Sequence, residues 1–178
     1  MKMKNYTPLK EITESRLNYA KLYLEELKNP TIAGSEIEKA HQYSFLFHLK
    51  GVVDAFLVEI NEIYGLGLKK KHLTIDSLKV SKSGSKKPIK EGKKLGRLME
   101  KNNWLSELKS FDPNKLKALK KSKKSKDKDE SSTLEEEKSA IQITSVLEKF
   151  EEWHSKMEKL ITELRESALE ASGKSAKK

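Results

Sequence analysis

The sequence predicts an all-α protein, a single-domain helical bundle with a central apolar helix, and three observations support that prediction. Hydrophobic residues recur every three or four positions over several long stretches. No stretch alternates between apolar and polar residues for long enough to form a β-sheet. The 178 residues, 35% hydrophobic and 36% charged, suffice for one modest core. We therefore expect one helical domain over residues 1–170 and a disordered tail at 171–178.

The central helix is predicted over residues 35–64. Ser35 and Glu38 form a capping box at its start, in which the hydroxyl and the carboxylate each accept from an unpaired backbone N–H. Gly65 ends the helix, because glycine readily takes the left-handed conformation of a helix terminus. Apolar residues cover most of this segment, on one face His41, Phe45, His48, Val52, Phe56 and Ile63 and on another Leu46, Val53, Leu57, Ile60 and Tyr64. We therefore expect neighbouring helices to contact it from at least two directions.

Two other long helices are expected beside the central one. Thr7-Pro8 begins the first, which should cover residues 8–28. Thr133 and Glu136 make a second capping box that opens the last and longest helix. Its apolar residues recur at alternating steps of three and four: Ile143, Val146, Phe150, Trp153, Met157, Leu160 and Leu164. This seam is typical of a helix that lies along its neighbours, so we expect it to pack along the central helix.

The middle of the chain breaks the helical pattern. Residues 66–94 combine glycines, serines and lysines without periodicity, which predicts a mobile basic loop with a short helix over 74–80. Helical spacing then returns in a shorter element, for which Trp104 is the expected anchor. Residues 120–133 begin with a lysine-rich run that holds no apolar residue, which predicts a solvated linker.

The net charge of +10 comes from the middle third of the chain. Residues 1–64 hold 8 basic and 9 acidic residues, residues 65–128 hold 21 and 6, and residues 129–178 hold 8 and 12. An electropositive region between two nearly balanced or acidic helical parts is therefore expected.

Several classes of protein are excluded by composition. The absence of cysteine excludes a disulfide framework, a thiolate metal site and a thiol nucleophile. The first residues lack the apolar stretch of a signal peptide, and charged side chains interrupt the best apolar window, residues 45–60. We therefore expect a cytoplasmic protein with no membrane partner.

A series of short motifs suggests a family. In chain order they are Ser15-Arg16-Leu17-Asn18-Tyr19-Ala20, Ser44-Phe45-Leu46-Phe47-His48-Leu49, Ala55-Phe56-Leu57, Trp104-Leu105, Trp153-His154 and Leu160-Ile161. Together they resemble a family of small, uncharacterised, all-helical bacterial proteins that is filed as a domain of unknown function. The resemblance implies a compact helical protein of the bacterial cytosol, and it brings no catalytic residue with it.

Two Glu-x-x-His spacings form the most specific chemical motif. Glu38 with His41 and Glu151 with His154 each place both side chains on one helical face, as in di-iron bundles. Further inward carboxylates would have to come from Glu14, Glu25 or Glu59. Glu38 already serves the capping box, however, and Leu, Phe and Val fill the expected interior. The sequence therefore predicts no metal site and no cofactor.

His48 is predicted to lie deep among apolar neighbours. A core histidine with a satisfied hydrogen bond is the favoured interpretation and a catalytic histidine the other, and an ordinary pKa of about 6.5 would make either proton-sensitive. Glu59 lies on nearly the same face, but the eleven residues between them span about 16 Å of helix. Each side chain therefore needs a partner from another helix.

The basic segment 69–128 offers candidate phosphate contacts. They are Lys69, Lys70, Lys71, Lys86, Lys87, Lys93, Lys94, Lys120, Lys121, Lys123 and Lys124. Lysines on loops neutralise phosphates without reading sequence. The chain holds 34 lysines but only 3 arginines, and no aromatic residues interleave with the lysines to stack on bases. Non-specific nucleic-acid binding is therefore an alternative and not the leading hypothesis.

The sequence favours a non-enzymatic, cytosolic helical interaction protein. The heptad-like last helix indicates a protein partner or a homodimer, and no polar cluster suits catalysis. Serine-nucleophile and phosphate-cradling glycine motifs are also missing from the sequence. The alternatives are nucleic-acid association through residues 69–128 and, third, a metal-binding bundle of carboxylates and histidines.

Overall fold

Helices account for the regular secondary structure of the described residues. A computed structural model describes residues 6–79, 89–114 and 132–173, with the backbone alone at 79 and 132–145. The helices are α1 (Tyr6–Glu26), α2 (Glu36–Tyr64), α3 (Ile75–Lys79), α4 (Lys90–Leu98), α5 (Trp104–Ser110) and α6 (Ser132–Ala171). Because the described residues contain no strand, the predicted all-α class is confirmed. None of these helices combines the length and apolarity that a membrane-spanning segment needs.

α2 occupies the centre of the bundle, as its sequence predicts. The Ser35 hydroxyl accepts from the Glu38 N–H at its start, and Gly65 ends it with a φ of 62°. α1, α5 and α6 all pack against this helix. Its fully buried side chains include Phe45, Leu49, Val52, Phe56, Ile60 and Ile63. The predicted contact from more than one direction is therefore confirmed.

Contacts between side chains set the directions of the three long helices. Tyr19 of α1 meets His48 of α2, and Arg16 lies against Gly51, so α1 and α2 are antiparallel. Phe45 of α2 stacks on Phe150 of α6 with ring centroids 4.5 Å apart. Glu14 of α1 pairs with Arg165 of α6, and Lys28, two residues beyond the end of α1, pairs with Glu151. α6 therefore runs antiparallel to α1 and parallel to α2.

The predicted seam of the last helix faces the core of its own chain. Its buried members are Phe150, Trp153, Met157, Leu160 and Leu164. Val146 is partly buried, and the side chain of Ile143 lies outside the described residues. The seam prediction is confirmed, and the fold itself covers this surface.

Some predicted boundaries shift by a few residues. α1 covers Tyr6–Glu26 in place of 8–28, because the first N–H groups of a helix need no partner within it. α6 begins at Ser132, so the last two residues of the linker predicted over 120–133 are helical. Residues 120–131 and the Thr133–Glu136 capping contacts lie outside the description. Hydrogen bonds from the N–H groups of residues 172 and 173 close the end of α6, where the start of a disordered tail was predicted. Residues 174–178 lie outside the description.

The prediction of one basic loop over residues 66–94 is wrong at its C-terminal end, from Lys90 onward. α3 matches the short helix expected over 74–80, whereas α4 is helical from Lys90. α4 buries Glu91, Gly92 and Leu95, a face on which glycine and an acid replace the usual large apolar residues. A Cβ on Gly92 would lie 2.7 Å from the Cβ of Leu78, so the glycine permits close contact with α3. Residues 80–88 lie outside the description.

Trp104 is not the anchor of α5. Leu105 and Leu108 are fully buried, whereas Trp104, the first residue of the helix, is only half-buried. Asn102, with a φ of 72°, lies in the turn that separates α4 from α5. This turn sets the helix so that its leucines face the core and Trp104 lies at the edge.

Candidate functional site

The first candidate metal-binding pair, Glu38 with His41, is engaged in contacts that shape the start of α2. The Glu38 carboxylate accepts from the backbone N–H of Gly34 at 2.5 Å and from the Gln42 side chain at 2.8 Å. The His41 ring packs against Tyr23 of α1, with centroids 5.6 Å apart. Glu38 therefore has a structural role. His41 packs through its ring, and its Nδ1, which is shielded from water, has no hydrogen-bond partner among the described residues.

The second candidate metal-binding pair, Glu151 with His154, is divided between the surface and the α1 interface. Glu151 forms an ion pair with Lys28 at 3.1 Å on the surface. His154 is buried, and its Nε2 donates to the Leu17 carbonyl oxygen at 3.1 Å. Its Nδ1 lies 4.0 Å from a carboxylate oxygen of Glu158. Across residues 6–79, 89–114 and 132–173, no three acids or histidines converge as metal ligands would.

Glu59 forms a buried ion pair. The fully buried carboxylate accepts from Arg165 Nε at 2.5 Å and from a second guanidinium nitrogen at 3.1 Å. Arg165 also donates to Glu14 of α1 at 3.3 Å. Burial and the adjacent Glu59 carboxylate raise the pKa of Tyr6 to about 12. The predicted partner from another helix is confirmed for Glu59, and the cluster joins α1, α2 and α6.

A second buried carboxylate, Glu91, has no signal in the sequence. It is fully buried and accepts from the Tyr64 hydroxyl at 2.9 Å and from the Ser167 hydroxyl at 2.6 Å. Burial and the hydrogen bond to Glu91 raise the pKa of the Tyr64 phenol well above its usual value. The carboxylate thereby links α2, α4 and α6.

His48 does not lie in the core, so the prediction of a satisfied core histidine is wrong. It is only partly buried and faces α1, whereas Phe45 on the same helix is fully buried. The rings of Tyr19, Tyr23 and Phe47 surround it at centroid distances of 5.2, 5.7 and 5.2 Å. Its Nδ1 is shielded from water and has no hydrogen-bond partner among the described residues.

These rings belong to an exposed aromatic cluster. We define the aromatic cluster as Arg16, Tyr19 and Tyr23 of α1 with His41, Phe47 and His48 of α2. Phe47 is 67% exposed and Tyr19 is 47% exposed. The Arg16 guanidinium lies 5.8 Å from the centroid of the Phe47 ring. A Cβ on Gly51 would lie 2.3 Å from an Arg16 nitrogen, so the glycine provides the space that the guanidinium fills.

Arg16 supplies the positive charge of the aromatic cluster. Within the described part of the chain, no carboxylate lies at ion-pair distance from it. Burial, and then the charge of Arg16, lower the pKa of His48 below its ordinary value, so the imidazole is neutral at pH 7. The cluster therefore presents one cation, without a carboxylate partner, among exposed aromatic rings.

We expect the Arg16→Gln variant to raise the pKa of His48 part of the way back, because desolvation, the larger cause, remains. An NMR titration of the imidazole signals, assigned with His48→Gln, measures this pKa. Since the folded state binds fewer protons than the unfolded state, the free energy of unfolding should fall as the pH drops below about 6.5. Lys21→Gln, which removes an exposed cation elsewhere on α1, should leave the pKa unchanged. An unchanged pKa in Arg16→Gln would contradict the placement of Arg16.

The structure covers part of the set of candidate phosphate contacts. Those outside the described residues are Lys86, Lys87, Lys120, Lys121, Lys123 and Lys124. Lys69, Lys70 and Lys71 are exposed before α3. Lys93 is exposed on α4, and Lys94 on the same helix pairs with Glu163 of α6 at 2.5 Å.

Comparison with known proteins gives no match for this chain. No family model, curated protein or solved structure matches it. The resemblance to a family of small helical bacterial proteins stays a prediction.

Proposed function

We propose that this chain is a non-enzymatic interaction module that binds a partner protein at the aromatic cluster. The observation that carries the proposal is the 67% exposure of Phe47 beside Arg16, which has no carboxylate partner among the described residues. Contiguous exposed apolar surface is typical of interaction sites. Aromatic residues and arginine are also enriched at interfaces, where they supply most hot spots.

The last helix does not support an interaction role, although its heptad-like pattern suggested one. Phe150, Trp153 and Met157 on its seam are almost fully buried in the core of the same chain. They would reach a partner only if the bundle opened, which would expose the core to water. The outer side of α1 and α2 offers large exposed side chains without any rearrangement.

The partner that fits is an acidic protein segment in which a carboxylate lies next to an apolar side chain. Arg16 presents a guanidinium to such a carboxylate, and this pairing is strong because both groups are charged. Phe47 and Tyr19 offer ring surface to the apolar side chain. The net charge of +10 favours encounter with an acidic segment over long range.

Selection from a random phage-displayed peptide library tests this proposal. We expect enriched peptides to carry Asp or Glu close to an aromatic or aliphatic residue. Fluorescence anisotropy with one enriched peptide should give a dissociation constant that rises about tenfold in Phe47→Ser and in Arg16→Gln. Ile37→Ser is the matched control, because Ile37 is 57% exposed on α2 and lies outside the aromatic cluster. It should leave binding within about twofold of the wild type.

Gly51→Ala provides a test that replaces no residue of the aromatic cluster. The added methyl group would displace the Arg16 guanidinium from its position against α2. The helix gains about 1 kcal/mol of propensity from the same change, so weaker peptide binding should accompany an unchanged or higher Tm. Enriched peptides without acids, or an equal loss of binding in Ile37→Ser, would reject the proposal. A homodimer that covers the cluster, detected by light scattering, would also reject it.

A further inference from the structure

The outward surface of α4 is cationic over its whole length. Lys90, Lys93, Lys94 and Arg97 follow the spacing i, i+3, i+4 and i+7, which places them on one side of a helix. The buried side of α4 consists of Glu91, Gly92, Leu95 and Gly96. We call Lys90, Lys93, Lys94 and Arg97 the α4 basic face. It lies apart from the aromatic cluster, which belongs to α1 and α2.

The single acid of α4 does not neutralise this face. Glu91 is the only carboxylate in the helix, and it is fully buried. The hydroxyl groups of Tyr64 and Ser167 satisfy its two oxygens inside the bundle. Folding therefore places the single carboxyl group of α4 inside and its four cationic side chains outside.

Three of the four cations also lack an acidic partner elsewhere in the described ranges. Lys94 pairs with Glu163 of α6. Lys90, Lys93 and Arg97 are exposed, and no described carboxylate lies at ion-pair distance from them. Because neighbouring like charges repel one another, binding of a polyanion that neutralises the α4 basic face is electrostatically favourable.

We propose that the α4 basic face binds the phosphate backbone of a nucleic-acid duplex without reading its sequence. At 1.5 Å per residue, Lys90 and Arg97 are about 10 Å apart along the helix axis. One strand of B-DNA carries a phosphate about every 3.4 Å along its axis, so the face matches about three phosphates. α4 holds no aromatic residue on which unpaired bases would stack, which favours a duplex over a single strand.

An anionic membrane surface fits the α4 basic face less well. A helix that lies on a bilayer inserts exposed apolar side chains between the lipids. The large exposed hydrophobic residues of the described chain are all on α1 and α2: Ile12, Tyr19, Leu22, Ile37, Tyr43 and Phe47. On α4 the side chain of Leu95 is fully buried in the core. The face offers charge without an apolar anchor, which favours the duplex.

The test is fluorescence anisotropy with a mixed-sequence DNA duplex over a salt series. Three phosphate contacts predict a contribution of about −2.7 to the slope of log K against log salt, or about a 40-fold loss of affinity between 50 and 200 mM. The triple variant Lys90→Gln, Lys93→Gln, Arg97→Gln should remove this contribution and weaken binding at least about tenfold at 50 mM salt. Lysines outside α4 are the same in the wild type and in the triple variant, so the difference in duplex affinity between the two proteins measures the contribution of the α4 basic face.

The matched control removes three charges from other surfaces. The triple variant Lys21→Gln, Lys156→Gln, Lys159→Gln alters α1 and α6 and has the same net charge as the first variant. It should retain the salt slope and bind the duplex within about threefold of the wild type. All the α4 changes, and those at Lys21 and Lys159, are at exposed positions, and Lys156 is partly exposed in a surface ion pair with Glu152. Circular dichroism should therefore show both variants folded.

Several results would overturn the proposal. An equal loss in the control variant would show that net charge alone governs binding. Tighter binding to a single-stranded oligonucleotide than to the duplex would contradict the assignment of the ligand. Binding to vesicles that contain phosphatidylserine, without binding to the duplex, would also contradict the assignment of the ligand. A wild-type chain that does not bind the duplex at about 50 mM salt would also exclude it.

Discussion

Replacement of Arg165 by leucine is expected to lower the free energy of unfolding by about 3–5 kcal/mol. Glu59 is fully buried, and Arg165 donates to both of its carboxylate oxygens. The variant leaves the buried Glu59 carboxylate without its guanidinium partner, and removal of one partner of a buried ion pair is strongly destabilising. Urea denaturation followed by circular dichroism measures the loss.

Two further variants show whether the loss of stability comes from the unpaired Glu59 charge or from the contacts that the Arg165 side chain makes. The double variant Glu59→Leu with Arg165→Leu removes both charges, so it should recover most of the lost stability. Glu14→Gln alters the exposed end of the network, where the side chain is 47% accessible, and should cost less than about 1 kcal/mol. A single variant at Arg165 that costs no more than Glu14→Gln would show that water reaches Glu59.

The sequence predicts the long helices because their signals are local. Ser35 and Gly65 mark the ends of α2 by side-chain chemistry and backbone conformation within a few residues of each end. The seam of α6 repeats large apolar residues, which predict a buried face without knowledge of the neighbour. These features fix the fold class.

The sequence does not predict α4, because the residues on its buried face are explained only by contacts with residues that are distant in the sequence. Glu91 is satisfied by hydroxyl groups on α2 and α6, and Gly92 is required by the close contact with Leu78. Neither residue carries a helical signal in a lysine-rich run. The α4 basic face therefore becomes recognisable only once the buried side of the helix is known.

The sequence predicts the aromatic cluster only in part. Phe47 falls outside both predicted apolar faces of α2, which is a sequence signal for an exposed aromatic residue. The sequence gives no such signal for His48. Its helix is apolar on most sides, so the packing of α1 against α2 decides how deeply this histidine is buried. The place of Arg16 against Gly51 likewise depends on how two helices approach each other.

Trp153→Ala is expected to lower the free energy of unfolding by about 3–5 kcal/mol. The side chain is 1% exposed and packs against Phe150 and Phe111 at centroid distances of 5.8 and 5.2 Å. Its removal leaves a cavity between α6 and the end of α5, which close-packed neighbours fill only in part. Urea denaturation monitored by circular dichroism gives the stability.

Trp104→Ala is the matched control, because the chain holds only these two tryptophans. Trp104 is only partly buried at the start of α5, so its removal should cost less than that of Trp153. Each variant keeps one indole, and the emission of the remaining Trp153 should lie at shorter wavelength than that of the remaining Trp104. Equal losses of stability would mean that Trp104 anchors α5 after all, as the sequence alone predicts, and that Leu105 and Leu108 do not hold this helix by themselves.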